Sequence, residues 1–111
     1  MNLKYPIYAK DRLTVVSCDE ILCLEASGAY SVLVIKHGGT VTISKNFSKV
    51  LSELPEGLLF KVSQSAAIRL SEVKYIHYSE KVIELNHGGK VKYTIKKNEL
   101  DAALKRSFSY E

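Results

Sequence analysis

The sequence predicts a mainly β domain of about eight to ten short strands with two short helices. Three observations carry that expectation. Short apolar, β-branched runs recur along the chain, two of them break at Gly-Gly turns, and apolar residues fall at helical spacing in only two places. At 111 residues the chain reads as one domain, able to bury roughly two thirds of the surface its unfolded form would expose without a metal or disulfide staple. Its 46% apolar and 25% charged residues argue against disorder.

Residues 1–10 read as an N-terminal lead-in or linker. The first strand expected is Leu13-Thr-Val-Val-Ser17, which ends at Cys18-Asp19-Glu20. An apolar strand from Ile21 to Ala26 stops at Ser27-Gly28. Tyr30 to Lys36 then meets His37-Gly38-Gly39, and Thr40 to Ile43 returns with period-two alternation, so a hairpin is expected there. Phe47, Val50, Leu51 and Leu54 fall at i, i+3, i+4 and i+7, with Ser44 as N-cap and Pro55-Glu56-Gly57 as the stop. Ala66 to Leu70 and Val73 to Tyr78 are two further strands, joined through Ser71-Glu72. Lys81 to Leu85, the turn Asn86-His87-Gly88-Gly89 and Lys90 to Thr94 make a second hairpin. A final helix is expected after Asn98 as N-cap, with Leu100, Ala103, Leu104 and Phe108 on one face and Lys105 and Arg106 near its end.

No catalytic constellation is present, and no enzyme activity is expected. His37 and His87 precede Gly-Gly turns and His77 lies in a strand, so HxxxH, HExxH and Cys/His patterns are missing and no metal or other cofactor is expected. Neither GxSxG, a P-loop nor GxGxxG occurs. Cys23 reads as a small buried thiol and Cys18, beside Asp19, as a turn residue. With no signal peptide and no run long enough to span a bilayer, a cytoplasmic protein without membrane contact is expected.

Charge points to a polyanionic partner. The balance is +4 with a pI near 9.0. Lys90, Lys92, Lys96 and Lys97 surround the strand and loop before the last helix, and Lys61 and Arg69 flank a Ser/Gln-rich break. Such side chains neutralise phosphates, and Arg can also pair bidentately with guanine. Against this, Lys90 and Lys92 alternate with Val91 and Tyr93 as on any half-exposed strand.

Several segments agree in order and spacing with one family. The strand ending Glu25-Ala26, a small-residue turn and Tyr30, then Phe47 to Pro55 ending in Leu-Pro, then Lys61-Val-Ser-Gln-Ser-Ala-Ala-Ile-Arg69 followed by Val73 and Ile76, together resemble the LytTR DNA-binding domain of bacterial response regulators. The resemblance runs from about Asp11 to Leu104, so residues 11–108 are taken as the LytTR-like domain. Where the family usually has His, a basic residue, an aromatic and Asn, this chain has Ser63, Gln64, Ala66 and Arg69; Ala29 replaces a further Asn, and Thr94-Ile95 precedes Lys96 and Lys97.

The resemblance implies elongated antiparallel β-sheets whose loops enter successive major grooves of duplex DNA. Tyr30 or Ser31, Arg69 and Lys96 should lie nearest base edges, while Lys61, Ser63, Gln64, Ser65, Lys92 and Lys97 complete the DNA contacts, chiefly to phosphates. Arg69 is either a base reader or an exposed strand residue paired with Glu72, and Ser65 either a contact or a turn-forming hydroxyl. The function expected is sequence-specific DNA binding by a transcription regulator, with a receiver or sensor domain in the full-length protein and a homodimer on DNA. The departures motivate a second expectation, a LytTR-like scaffold that serves as a protein-interaction or dimerisation module.

Overall fold

Ile21 to Leu24 are buried at four consecutive positions, which a strand allows only when both faces of its sheet are covered. The computed structural model describes residues 3–37 and 39–108; Gly38 of the first expected turn, and residues 1 and 2 of the expected lead-in, lie outside the described residues. Within them the chain forms β1 (Lys4–Tyr8), β2 (Leu13–Ser17), a 3-10 turn (Cys18–Glu20), β3 (Ile21–Ser27), β4 (Tyr30–Ile35) and β5 (Gly39–Ile43). Helix α1 (Phe47–Glu53) is followed by β6 (Phe60–Ser63), β7 (Ala66–Ile68), a second 3-10 turn (Leu70–Glu72), β8 (Val73–His77), β9 (Val82–Leu85), β10 (Lys90–Lys92) and helix α2 (Lys97–Ser107). Strand order is β5-β4-β3-β7-β6 in a central sheet, β10-β9-β8 in a second and β1-β2 in a third, with every pairing antiparallel. The expected mainly β architecture with two helices is the one found, and it is elongated, at 46 × 32 × 24 Å.

Two cores lie on opposite faces of the central sheet. On one, Tyr5, Ile7 and Val16 of the β1–β2 ribbon and Phe47, Val50 and Leu54 of the α1 region cover Ile21, Leu24, Leu33 and Ile43. On the other, Ile83, Leu85, Val91 and Tyr93 of the second sheet region and Leu100 of α2 cover Cys23, Val62, Ala66 and Ile68. A residue that turns over on β3 therefore changes core, and a bulge between Ile21 and Cys23 accommodates the switch.

Several local expectations are corrected. The lead-in contains a strand: Lys4–Tyr8 pairs with Leu13–Ser17. Pro6 hides it, since proline lacks the N–H a ladder needs. Backbone bonds from Ala9 N to Arg12 O and from Cys18 N to Leu3 O, both 2.8 Å, put the odd-numbered residues of β1 in hydrogen-bonded pairs, so the nitrogen of Pro6 faces the outer edge and no bond is lost. Phe60–Ser63 is likewise a strand, bulged between Lys61 and Ser63, where none was expected; the Ser/Gln-rich break follows it as the β6–β7 turn. The cap of α1 is Asn46, not Ser44: its side chain accepts from Lys49 N at 2.8 Å. Helix α2 starts one residue before Asn98, with Lys96 at the N-cap and no side-chain cap bond.

Candidate nucleic-acid interface

The central sheet collects three connections at one end. The β3–β4 hairpin turns tightly through Gly28, whose φ of 61° is available to glycine without strain, and it presents Tyr30, 52% exposed, beside Ser27. Next to it Ala26 N donates to Ser65 O at 2.8 Å, which aligns the β6–β7 turn with the same end. On the outer side Ile43 pairs with Ser31, so the β5–α1 connection reaches that end too.

The β6–β7 turn is built by its own hydroxyls. Ser63 Oγ accepts from Ser65 N at 3.1 Å and lies 3.5 Å from Ser65 Oγ, leaving Gln64 exposed at the apex. The turn-forming hydroxyl is thus that of Ser63, with Ser65 as its donor. Thr94 N donates to Val62 O at 2.9 Å, which draws the end of the β9–β10 hairpin against β6. Between these two hairpins runs a groove of about 480 Å³, lined by Glu25, Ser63, Gln64, Ser65, Lys90, Lys92 and Thr94 over an apolar floor that includes Val91.

Four of the expected DNA contacts, Ser63, Gln64, Ser65 and Lys92, meet in this groove together with Lys90 of the basic cluster, and Lys96 stands exposed two residues beyond Thr94. Thr94 and Glu25 line it without having been singled out as contacts. Thr94 could have been found from its place at the end of the β10 run. Glu25 adds a carboxylate to the lining that Lys90 and Lys92 share, so the groove is basic at its β10 wall and acidic towards β3.

Other expected contacts are elsewhere. Ser31 is fully buried, and its hydroxyl donates to Lys45 O at 2.7 Å, so it fastens the β5–α1 connection and does not face outward. Arg69 sits at the far end of the sheet. It is four residues beyond Ser65, roughly 13 Å along an extended strand. Its Nε donates to Ile21 O at 2.7 Å and its Nη2 to Cys18 O at 2.6 Å, so the guanidinium closes the 3-10 turn before β3. Its guanidinium is thus bonded to backbone carbonyls at the opposite end of the sheet from the β6–β7 turn, and among the described residues it makes no ion pair with Glu72, whose N donates to Arg69 O at 3.0 Å. Lys61 is exposed on β6, where alternation with buried Val62 turns it away from the groove.

Lys97 is exposed but engaged. Its Nζ lies 3.1 Å from Asp101 Oδ2 and 4.6 Å from the centre of the Tyr78 ring, while Tyr78 donates to Asp101 Oδ1 at 3.1 Å. The hydrogen bond to Asp101 raises the Lys97 ammonium, and the same bond holds the Asp101 carboxyl low. Lys45, near the β3–β4 hairpin, is similarly paired with Glu53 at 2.9 Å.

A larger cleft of about 750 Å³ lies away from this groove, between Leu22, the β4–β5 turn and the β9–β10 turn with His87. No cluster of three or more metal-ligating side chains occurs among the described residues. Both cysteines are buried and free; burial raises the Cys18 thiol and pushes the Cys23 thiol up to about 12.

A family model described as the LytTr DNA-binding domain matches residues 11–105. Among solved structures, the chain is similar to the LytTr DNA-binding domain of a methyl-accepting/DNA response regulator from Bacillus cereus. The identity is 14%, with 93% of this chain and 94% of that one covered and a TM-score of 0.68, so the likeness is one of fold. No curated protein matches.

Proposed function

Because the chain belongs to the LytTR DNA-binding domain family, we propose that it reads duplex DNA in a sequence-specific manner as the output domain of a bacterial transcription regulator. The observation that carries this reading is the groove in which the β6–β7 turn faces Lys90, Lys92 and Thr94, with Lys96 exposed two residues beyond Thr94. Lys90, Lys92 and Lys96 neutralise phosphates and fix register. Gln64, exposed at the apex of a rigid turn, is the side chain suited to enter the major groove, where an amide pairs bidentately with adenine. Tyr30 reaches the same end of the sheet and packs against the sugar-phosphate backbone or a thymine methyl. Lys97 contributes after releasing Asp101, an exposed pair of low intrinsic worth. The regulator acts in the cytoplasm, with a receiver or sensor domain supplying the signal; among the described residues no helix is long and apolar enough to cross a membrane.

One observation favours a second reading. Ser31 and Arg69, two of the side chains expected nearest the bases, are consumed by backbone hydrogen bonds, which leaves fewer base readers than phosphate binders. A scaffold that has lost base reading would keep the fold and serve as an interaction module. Selection of bound sequences from a random duplex pool, followed by titration of the winners against salt, separates the two. Sequence-specific reading requires an enriched motif whose affinity falls when Gln64 is replaced by Ala. An unenriched pool with negligible binding at physiological salt would rule out base reading and favour the interaction module.

A further inference from the structure

We propose that the outward face of the β1–β2 ribbon is a self-association surface, met by the same face of a second copy of this chain. The inner face of the ribbon, Tyr5, Ile7 and Val16, is spent on the core. Its outer face is also apolar: the paired rows Pro6–Val15 and Tyr8–Leu13 point away from the sheet, with Tyr8 71%, Val15 53% and Leu13 51% exposed. Among the described residues, three of the eight exposed large apolar side chains, Tyr8, Leu13 and Val15, stand on this one face. A two-stranded ribbon that is apolar on both faces needs a cover on each.

The manner of covering follows from the backbone. Pro6 turns its nitrogen to the outer edge of β1, so that edge cannot be extended by another strand at its centre, and contact through the face is favoured over contact through the edge. Charge then selects the occupant. The tip of the ribbon carries Lys10, Asp11 and Arg12, with an excess of one positive charge, and its base carries Lys4 followed by Asp19 and Glu20, with an excess of one negative charge, all exposed. A two-fold axis lying between the faces and perpendicular to the strands sets each tip over the other copy's base. Pro6 and Val15 then stack near the axis, Tyr8 covers the stem of the other Lys4, and Lys10 and Arg12 meet Asp19 and Glu20.

The patch is small, about 17 Å long, and falls well short of the roughly 800 Å² per partner of a stable complex. With a net charge of +4 on each copy, association is weak in free solution. It becomes significant when two copies are held on one duplex at effective concentrations of order millimolar. Only this last step rests on the DNA-binding reading.

Sedimentation equilibrium without DNA tests the surface itself. The average mass should rise from monomer towards dimer between about 10 µM and about 1 mM. Tyr8→Ser with Val15→Ser, both at exposed positions, should abolish the rise while leaving the melting curve in place. Lys10→Glu with Arg12→Glu should be monomeric, as should Asp19→Lys with Glu20→Lys, and an equimolar mixture of these two variants should recover the dimer. A monomer at about 1 mM, a dimer indifferent to the serine pair, or a mixture that fails to recover would each overturn the proposal. So would a full-length protein in which the ribbon is shielded by a neighbouring domain of the same chain. None of these results depends on whether the chain binds DNA.

Discussion

At the scale of single residues, position in the fold overrides chemical aptitude. Arg69 has the right chemistry to read guanine, yet its guanidinium spans the carbonyls of Cys18 and Ile21, which come from 51 and 48 residues away. Nothing in the local run Ala66-Ala-Ile-Arg69 announces that convergence. Arg69→Ala is expected to lower stability by about 1 to 3 kcal/mol in urea denaturation, since two part-buried carbonyls lose charged donors, and to leave the DNA affinity of the folded protein unchanged. Arg69→Lys should recover only part of the loss, because an ammonium cannot reproduce the planar fork. A fall in affinity at unchanged stability would return Arg69 to the interface. Ser31 was more legible: alternation on β4 puts it on the face of buried Leu33, so its burial follows from a two-residue period. The third instructive residue is Glu53, which accepts from Tyr5 at 2.7 Å and pairs with Lys45. These hydrogen bonds, that from Tyr5 first, hold its carboxyl below the usual 4.5. A lowered folded-state value means that the ionised form is the one stabilised, so the contribution is full above about pH 4.5 and is lost as pH falls through the folded-state value. Glu53→Gln should therefore cost about 0.5 to 1 kcal/mol at neutral pH, after discounting for solvent, and the gap to the parent chain should close on acidification. A gap that persists at acid pH would show that packing, not charge, is responsible.

At the scale of elements, legibility tracks how much each element depends on partners distant in sequence. Helix α1 declares itself by the spacing of Phe47, Val50, Leu51 and Leu54, but its start is ambiguous because Ser44 and Asn46 both have capping chemistry. The register of β5 decides: Ile43 pairs with Ser31, Ser31 holds Lys45 O, and the chain then enters the helix at Asn46. Asn46→Ala should cost about 1 kcal/mol by thermal or chemical melting and Ser44→Ala close to nothing; equal losses would contradict the cap assignment. Strands β1 and β6 are illegible for a different reason. Each is short, one is interrupted by Pro6 and the other by a bulge, and neither shows clean alternation until its partner is known. Helix α2 tolerates the absence of a side-chain cap because Leu100 and Ala103 are buried and because Lys97 and Asp101 bridge its first turn.

At the scale of the whole molecule, the fold separates what holds it together from what faces a partner. Two cores grip the central sheet from either side, and the groove opens where the second sheet meets the β6–β7 hairpin. The apolar pattern that builds those cores was readable in the sequence. The groove was not, because it forms between hairpins about 30 residues apart, joined by backbone bonds from Thr94 N and Ile95 N to Val62 O and by packing of Val62 and Ala66 against Val91 and Tyr93. That arrangement makes a quantitative demand on DNA binding. If Lys90, Lys92 and Lys96 each neutralise a phosphate, the slope of log affinity against log salt concentration is about −3, and Lys92→Ala should reduce it by about 1 while weakening binding evenly across sequences. Arg69→Ala should leave the slope alone. Lys97 gives the sharper test, because its charge is shared with Asp101 at 3.1 Å. Lys97→Ala should change the slope less than Lys92→Ala, and Asp101→Asn, which frees the ammonium and removes a nearby negative charge, should strengthen binding most at low salt, where Coulomb terms are least screened. A slope that ignores all four lysines, measured on the same duplex, would mean that the β10 wall does not face the phosphates and would remove the basic groove as the interface.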